Sequence, residues 1–157
     1  MTGSAPSPPR KEDRRLLTGR GRFVSDLELP RMRHVAFVRS EVAHGAIRSV
    51  AVDGAERAGA AVFTSASPGF DVVLRARSAL PGYIETDQPV LASGKVRFVG
   101  EPVALVVAGD RYRAEDAAEL VEVELEPLRP SVVAWEPPGD PVHDAAPDNV
   151  LLSRQFR

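Results

Sequence analysis

The stretch KVRFVGEPVALVVAGDRYRAEDAAELVEVELEPL, residues 95–128, decides the fold class. Val96 to Val99 and Pro102 to Ala108 are apolar and β-branched, which predicts two central strands. Between them Gly100 and Glu101, followed by Pro102, mark a sharp, rigid corner. Asp110 then stands where a helix N-cap belongs, and Ala114, Ala117, Ala118 and Val121 recur at helical spacing, with Arg113, Asp116 and Glu119 on the polar face. A helix over 111–121 follows. From Glu122 to Leu128, Val123 and Leu125 alternate with Glu122, Glu124 and Glu126, the period of a strand with one solvated face. Pro127 and Pro130 end it. Strand, helix and strand in succession suggest a crossover unit in an α+β domain built on a mixed sheet with this one main helix.

Upstream, Val35 to Val38 reads as a short buried strand and Ile47 to Val52 as a strand with one wet face, with a turn between them. Gly54 to Gly59 has room for one helical turn, and Ala60 to Thr64 supplies another strand. Ser65 to Gly94 holds three prolines and three glycines with little periodicity, so a long irregular loop is expected, with one short strand at Asp71 to Leu74. Residues 1–9 are small, polar and proline-rich and predict a flexible tail. The densely charged segment Arg10 to Leu17, closed by Thr18, Gly19 and Gly21, looks like a docking segment. Trp135 to Arg157 is rich in proline and aspartate, lacks a periodic run, and should lie along other surfaces as an extended linker.

The 157 residues suit one ordinary domain. With 20 basic and 22 acidic side chains the net charge is −2, which provides no long-range attraction for nucleic acid or an anionic membrane. The chain has no cysteine, so disulfides, zinc–thiolate sites and iron–sulfur ligation by its own side chains are excluded. No apolar run reaches membrane-spanning length, and a cytoplasmic protein is the expectation.

Side chains able to carry chemistry are sparse. His34, His44 and His143 have no i, i+3 or i+4 partner that would build a metal site, and a hydrogen-bonded or solvated ring is the plainer role for each. Among them His44, in the turn Ala43-His44-Gly45, is the strongest candidate. Gly19-Arg20-Gly21 follows charge rather than a strand, and reads as a chain reversal and not as a phosphate loop. The carboxylates Glu115 to Glu126 fit a wet face, and no serine sits in a glycine elbow. The corner Phe98-Val99-Gly100-Glu101-Pro102 is the most unusual string. It fits a tight turn and a corner facing a partner or substrate channel equally well.

Several strings resemble the α/β hammerhead domain that opens the large subunits of xanthine dehydrogenases, aldehyde oxidases and aerobic carbon monoxide dehydrogenases. Arg10-Lys11-Glu12-Asp13 with Leu17 to Phe23 and Asp26 is similar to the family's opening string. His34 to Ser40 is similar to its first strand, and Ala43 to Ile47 to its next turn. Lys95 to Val107 with Tyr112 to Val121 resembles its densest signature, and Val142-His143-Asp144 and Asp148-Asn149-Val150 resemble its lead-out. Glu41 and Val42 stand where members often carry proline and a second histidine, and Ser25 where aspartate is common.

The resemblance implies a hammerhead domain over 10–134, a linker over 135–157 toward a molybdenum-cofactor domain, and a scaffold and subunit-docking role in an oxidoreductase. It implies that the molybdenum-pterin cofactor, iron–sulfur clusters and FAD belong to partner domains or subunits, with none bound by this chain alone, which would be inactive by itself. The expected partners are the molybdenum-cofactor-binding domain or chain, the iron–sulfur subunit and the flavin subunit. Catalytic, cofactor-binding and metal residues are expected elsewhere. His44, Gln88, Pro89, Phe98, Gly100, Glu101 and Pro102 are the candidates for an interface or channel wall. An apolar, incompletely covered face is expected, with self-association when the chain is isolated. The rival reading is a free-standing small-molecule binding or regulatory module that reuses the fold, which an enclosed pocket would favour.

Overall fold

The computed structural model describes residues 10–133 and 135–155, so the tail read over 1–9 lies outside the described residues. The chain divides into two compact units, Met1–Met32 and Arg33–Arg157.

In the first unit, helix α1 (Asp13–Leu17) buries none of its residues. It ends where Thr18 Oγ1 donates to the Arg14 carbonyl at 2.7 Å and Arg20 N–H to the Arg15 carbonyl at 2.8 Å, with Gly19 left-handed at φ +67°. The glycine pair therefore closes a helix rather than opening one. A 3₁₀ turn follows at Val24–Asp26, held by the Phe23 N–H donating to Asp26 Oδ2 at 2.9 Å.

Among the described residues the second unit holds eight strands and two helices: β1 (His34–Arg39), β2 (Gly45–Ala51), α2 (Asp53–Arg57), β3 (Ala61–Thr64), β4 (Val73–Ala76), β5 (Thr86–Pro89), β6 (Lys95–Val96), β7 (Pro102–Ala108), α3 (Arg111–Glu119) and β8 (Glu122–Pro127). The α+β class and the helix within 111–121 agree with the sequence. Asp110 caps α3 as its position indicated, accepting from the Arg113 N–H at 2.9 Å.

The sheet architecture differs. In place of one mixed sheet the described residues form three small antiparallel ones, ordered β1-β7-β3, β6-β2-β8 and β4-β5. Val96 to Val99 is not a central strand. Only Lys95 and Val96 pair, at the edge of the second sheet, because the chain turns over Arg97 to Gly100 and the Glu101 N–H donates back to the Phe98 carbonyl at 3.2 Å. Nor do β7, α3 and β8 form a crossover within one sheet. Both edges of β7 are already taken by β1 and β3, so β8 pairs with β2 in the second sheet. The irregular loop over 65–94 contains a hairpin, and its first strand lies two residues later than the sequence indicated. Register puts Arg75 opposite Asp87, and a bidentate ion pair at 2.5 and 2.7 Å ties the two strands.

Alternation along β7 sorts its side chains. Ala104, Val106 and Ala108 face α3 in a core with Ala55, Ala114, Ala117 and Val121. Val96, Val103 and Ala92 make a second cluster, and Val50 and Val123 pack against both, linking the two sheets. Leu105 and Val107 fall on the opposite face of the first sheet. Register places Phe37 and Phe63 opposite Leu105, and Val35 and Ala61 opposite Val107. Val35 is 50 % and Phe37 47 % exposed, so this face is apolar and only partly covered.

Candidate functional site

Glu101 is fully buried, the largest side chain among the described residues to be so. Burying a carboxylate is costly unless it is paired and hydrogen-bonded, and here three donors converge on it. Gln88 Nε2 donates to Oε1 at 2.9 Å, the Arg97 backbone N–H donates to Oε2, and Arg97 Nη1 lies 3.4 Å from Oε1. The backbone of the corner is also tied down. Ser40 N–H donates to the Glu101 carbonyl at 3.0 Å, Gly100 N–H to the Ser40 carbonyl at 2.8 Å, and Arg39 Nη1 to the Gly100 carbonyl at 2.8 Å. One carboxylate thus joins the β4-β5 hairpin, through Gln88, to the β6-β7 corner.

Gly100 sits at φ +85° with open space around the position of a missing Cβ. The requirement for glycine there is conformational rather than steric. We expect Gly100→Ala to cost about 1–2 kcal/mol, read as a lower urea midpoint at unchanged slope.

The other candidates fall into two groups. Gln88 and Glu101 are hydrogen-bonded, and Pro89 ends the same strand opposite Val73. The Pro102 carbonyl accepts from the Ala92 N–H at 2.7 Å. Phe98 is 47 % exposed and lines, with His44, a cleft of about 340 Å³ apart from this network. His44 is buried, and neither ring nitrogen has a hydrogen-bond partner among the described residues.

Arg97, not singled out by sequence, touches both groups. It pairs with Glu101 and lines the His44 cleft, and its Nε is buried without a partner among the described residues. Its position after a two-residue strand offers no periodic signal. A separate polar hollow of about 320 Å³ is lined by Arg75, Asp87, Arg97, His143 and Asp144 among others. Its charges are paired, Arg75 with Asp87 inside the hollow, and Asp144 with Lys95 and Arg97 with Glu101 outside its lining. Hydrogen bonding by Arg75 holds Asp87 below the usual carboxylate range, and Lys95 does the same for Asp144 at 2.7 Å. Burial, with Arg97 and Lys95 close by, pushes His143 below the ordinary histidine value.

These shifts share a sign. As pH falls through about 6.5, the unfolded chain protonates His143 before the folded chain does, so stability present above that value is lost below it. The two carboxylates contribute above their ordinary range and lose that contribution at lower pH. The thermal midpoint should therefore fall between pH 7 and 5.5, and His143→Gln should flatten that segment of the profile.

Among the described residues no three His, Asp or Glu side chains converge as a metal site, and no helix is long and apolar enough to cross a membrane. The one buried carboxylate among the described residues, Glu101, already accepts from Gln88 and from the Arg97 N–H and so is not free to ligate a metal.

Residues 18–129 match the family model for the aldehyde oxidase and xanthine dehydrogenase a/b hammerhead domain. The chain is 41 % identical over 150 residues to the nicotine 6-hydroxylase large subunit of Paenarthrobacter nicotinovorans, covering 90 % of this chain and 18 % of that one. It is 35 % identical over 159 residues to the carbon monoxide dehydrogenase large chain of Hydrogenophaga pseudoflava, covering 97 % and 18 %. The crystal structure of quinoline 2-oxidoreductase from Pseudomonas putida 86 superposes with a TM-score of 0.69 at 44 % identity, over 80 % of this chain and 17 % of that one. The chain thus spans less than a fifth of these relatives' lengths. By sequence and by fold, it belongs to the aldehyde oxidase and xanthine dehydrogenase family, as that family's α/β hammerhead domain.

Proposed function

We propose that this chain is the hammerhead component of the large subunit of a cytoplasmic molybdenum hydroxylase, and that its work is scaffolding and docking rather than catalysis. The observation that carries this reading is the outer face of the β1-β7-β3 sheet. A row of Val35, Phe37, Phe63, Leu105 and Val107 shares that face by register, and the Phe63–Phe70 stack, with centroids 5.0 Å apart, covers one end of it. A sheet face of this composition needs a partner surface. The molybdenum-cofactor domain is the partner we assign to it, with the iron–sulfur and flavin subunits held in the same assembly. The molybdenum-pterin group, clusters and FAD are then bound by those parts, while Glu101, Gln88 and Arg97 hold the corner that orients the sheet.

The test uses the assembled enzyme. Phe37→Glu combined with Val35→Glu places two charges on the outer face without touching the core beneath. We expect the molybdenum content of the purified complex to fall at least tenfold, while the isolated variant chain keeps its thermal midpoint within a few degrees. Full molybdenum and iron contents in the variant complex would defeat the reading.

A further inference from the structure

The described residues have three buried polar side-chain atoms without a hydrogen-bond partner: His44 Nδ1, His44 Nε2 and Arg97 Nε. Both residues line one cleft of about 340 Å³, whose other walls include Phe98, Val99, Pro130 and Val132. Orphaned donors are rare in folded chains, and two residues carrying them in one cleft point to a common purpose. Each donor is held in place. The His44 carbonyl accepts from the Leu128 N–H at 2.9 Å, fixing the turn that carries the ring. Arg97 is anchored through Nη1 to the Lys95 carbonyl at 3.1 Å and to Glu101, while its Nε is left without a partner among the described residues.

We propose that this cleft is a binding site for a carboxylate or carbonyl oxygen carried on a short apolar stem. An imidazole N–H and the guanidinium Nε–H are each without a partner in residues lining this cleft, so both are available to one acceptor group bound there. The stem is set by the walls, which are aromatic and aliphatic, and by the volume, which lies at the small end of ligand pockets. Phe98 is half-exposed and Val132 is 79 % exposed, so both stand at the open rim of the cleft, and an occupant reaches the buried His44 ring only by displacing that rim. Two sources share this chemistry, a free branched-chain acid and an acidic side chain flanked by leucines on a partner polypeptide. The site is independent of the outer face of the β1-β7-β3 sheet, since none of its lining residues belongs to that sheet.

The experiment is a titration of the isotopically labelled chain followed by the ring resonances of His44 and Phe98. The probes are 4-methylpentanoate, the peptide acetyl-Leu-Glu-Leu-amide, and 4-methylpentan-1-ol as the control without an acceptor carbonyl. We expect saturable shifts of both rings with the acid or the peptide and not with the alcohol, the tighter of the two naming the source. Val132→Glu, at the exposed rim, should weaken that binding about tenfold through like-charge repulsion, whereas Val132→Gln should not. This pair reads the site without altering the buried His44. Rings that fail to saturate with either acceptor, or that respond equally to the alcohol, would overturn the proposal, as would binding indifferent to Val132→Glu.

Discussion

Glu101→Leu should destabilise the chain by about 3–5 kcal/mol, the cost of removing one partner from a buried, hydrogen-bonded charge pair. The leucine is of comparable bulk, so the loss is electrostatic. Gln88 Nε2, the Arg97 N–H and the Arg97 guanidinium would all lose the acceptor they share. A domain of this size has about 5–15 kcal/mol in total, so the variant should be largely unfolded well below the midpoint temperature of the parent. Glu101→Gln separates shape from charge. It retains one acceptor oxygen for the backbone N–H but leaves the Arg97 charge uncompensated, and should fall between parent and leucine variant. Urea unfolding of the three proteins checks the order. Leucine variant and parent agreeing within about 1 kcal/mol would mean that the corner is held by its backbone bonds alone.

Val106→Ala should cost about 2–3 kcal/mol, and Leu105→Ala, although it removes more atoms, should cost less than half as much. Val106 is completely buried at the centre of β7, with Ala36 and Val62 beside it in register and α3 above. Those small neighbours cannot close the void, so both the transfer and the cavity contributions apply. Leu105 lies on the outer face between Phe37 and Phe63, where solvent already reaches. In the assembled enzyme the ranking should narrow or reverse, because the outer face is then covered. Measuring both variants in the isolated chain and in the complex tests the core assignment and the docking face together. Equal losses in the isolated chain would contradict the alternation on which both rest.

The elements legible in the sequence followed from local rules. The alanine spacing over 114–121, the Asp110 cap and the Val-Glu alternation over 122–126 depend only on neighbouring residues, and each element formed where those rules put it. The strands read at 35–38 and 60–64 formed at 34–39 and 61–64, although the first, expected to be buried, leaves Val35 and Phe37 about half exposed. The family strings carried further still, because their order encodes a whole domain.

Three things depended on distant contacts and were not legible. Phe98 and Val99 continue the apolar, β-branched run of a strand, yet the chain turns there, because a buried glutamate captures the Arg97 N–H and Gly100 permits a left-handed reversal. The hairpin at 73–89 was only half visible, since one short strand was read near 71–74 but its pairing with a segment more than ten residues away, across which Arg75 meets Asp87, is a tertiary contact. The division into three sheets was hidden. A strand's pattern states which face it buries but not which free edge it will find, and β8 turned to β2 because β7 had none left. The same limit applies to the candidates: their residue types were evident from the sequence by itself, whereas the pairing of Gln88 with Glu101 and the meeting of His44 with Arg97 in one cleft were decided only by tertiary structure, which alone brings together groups that the chain keeps far apart.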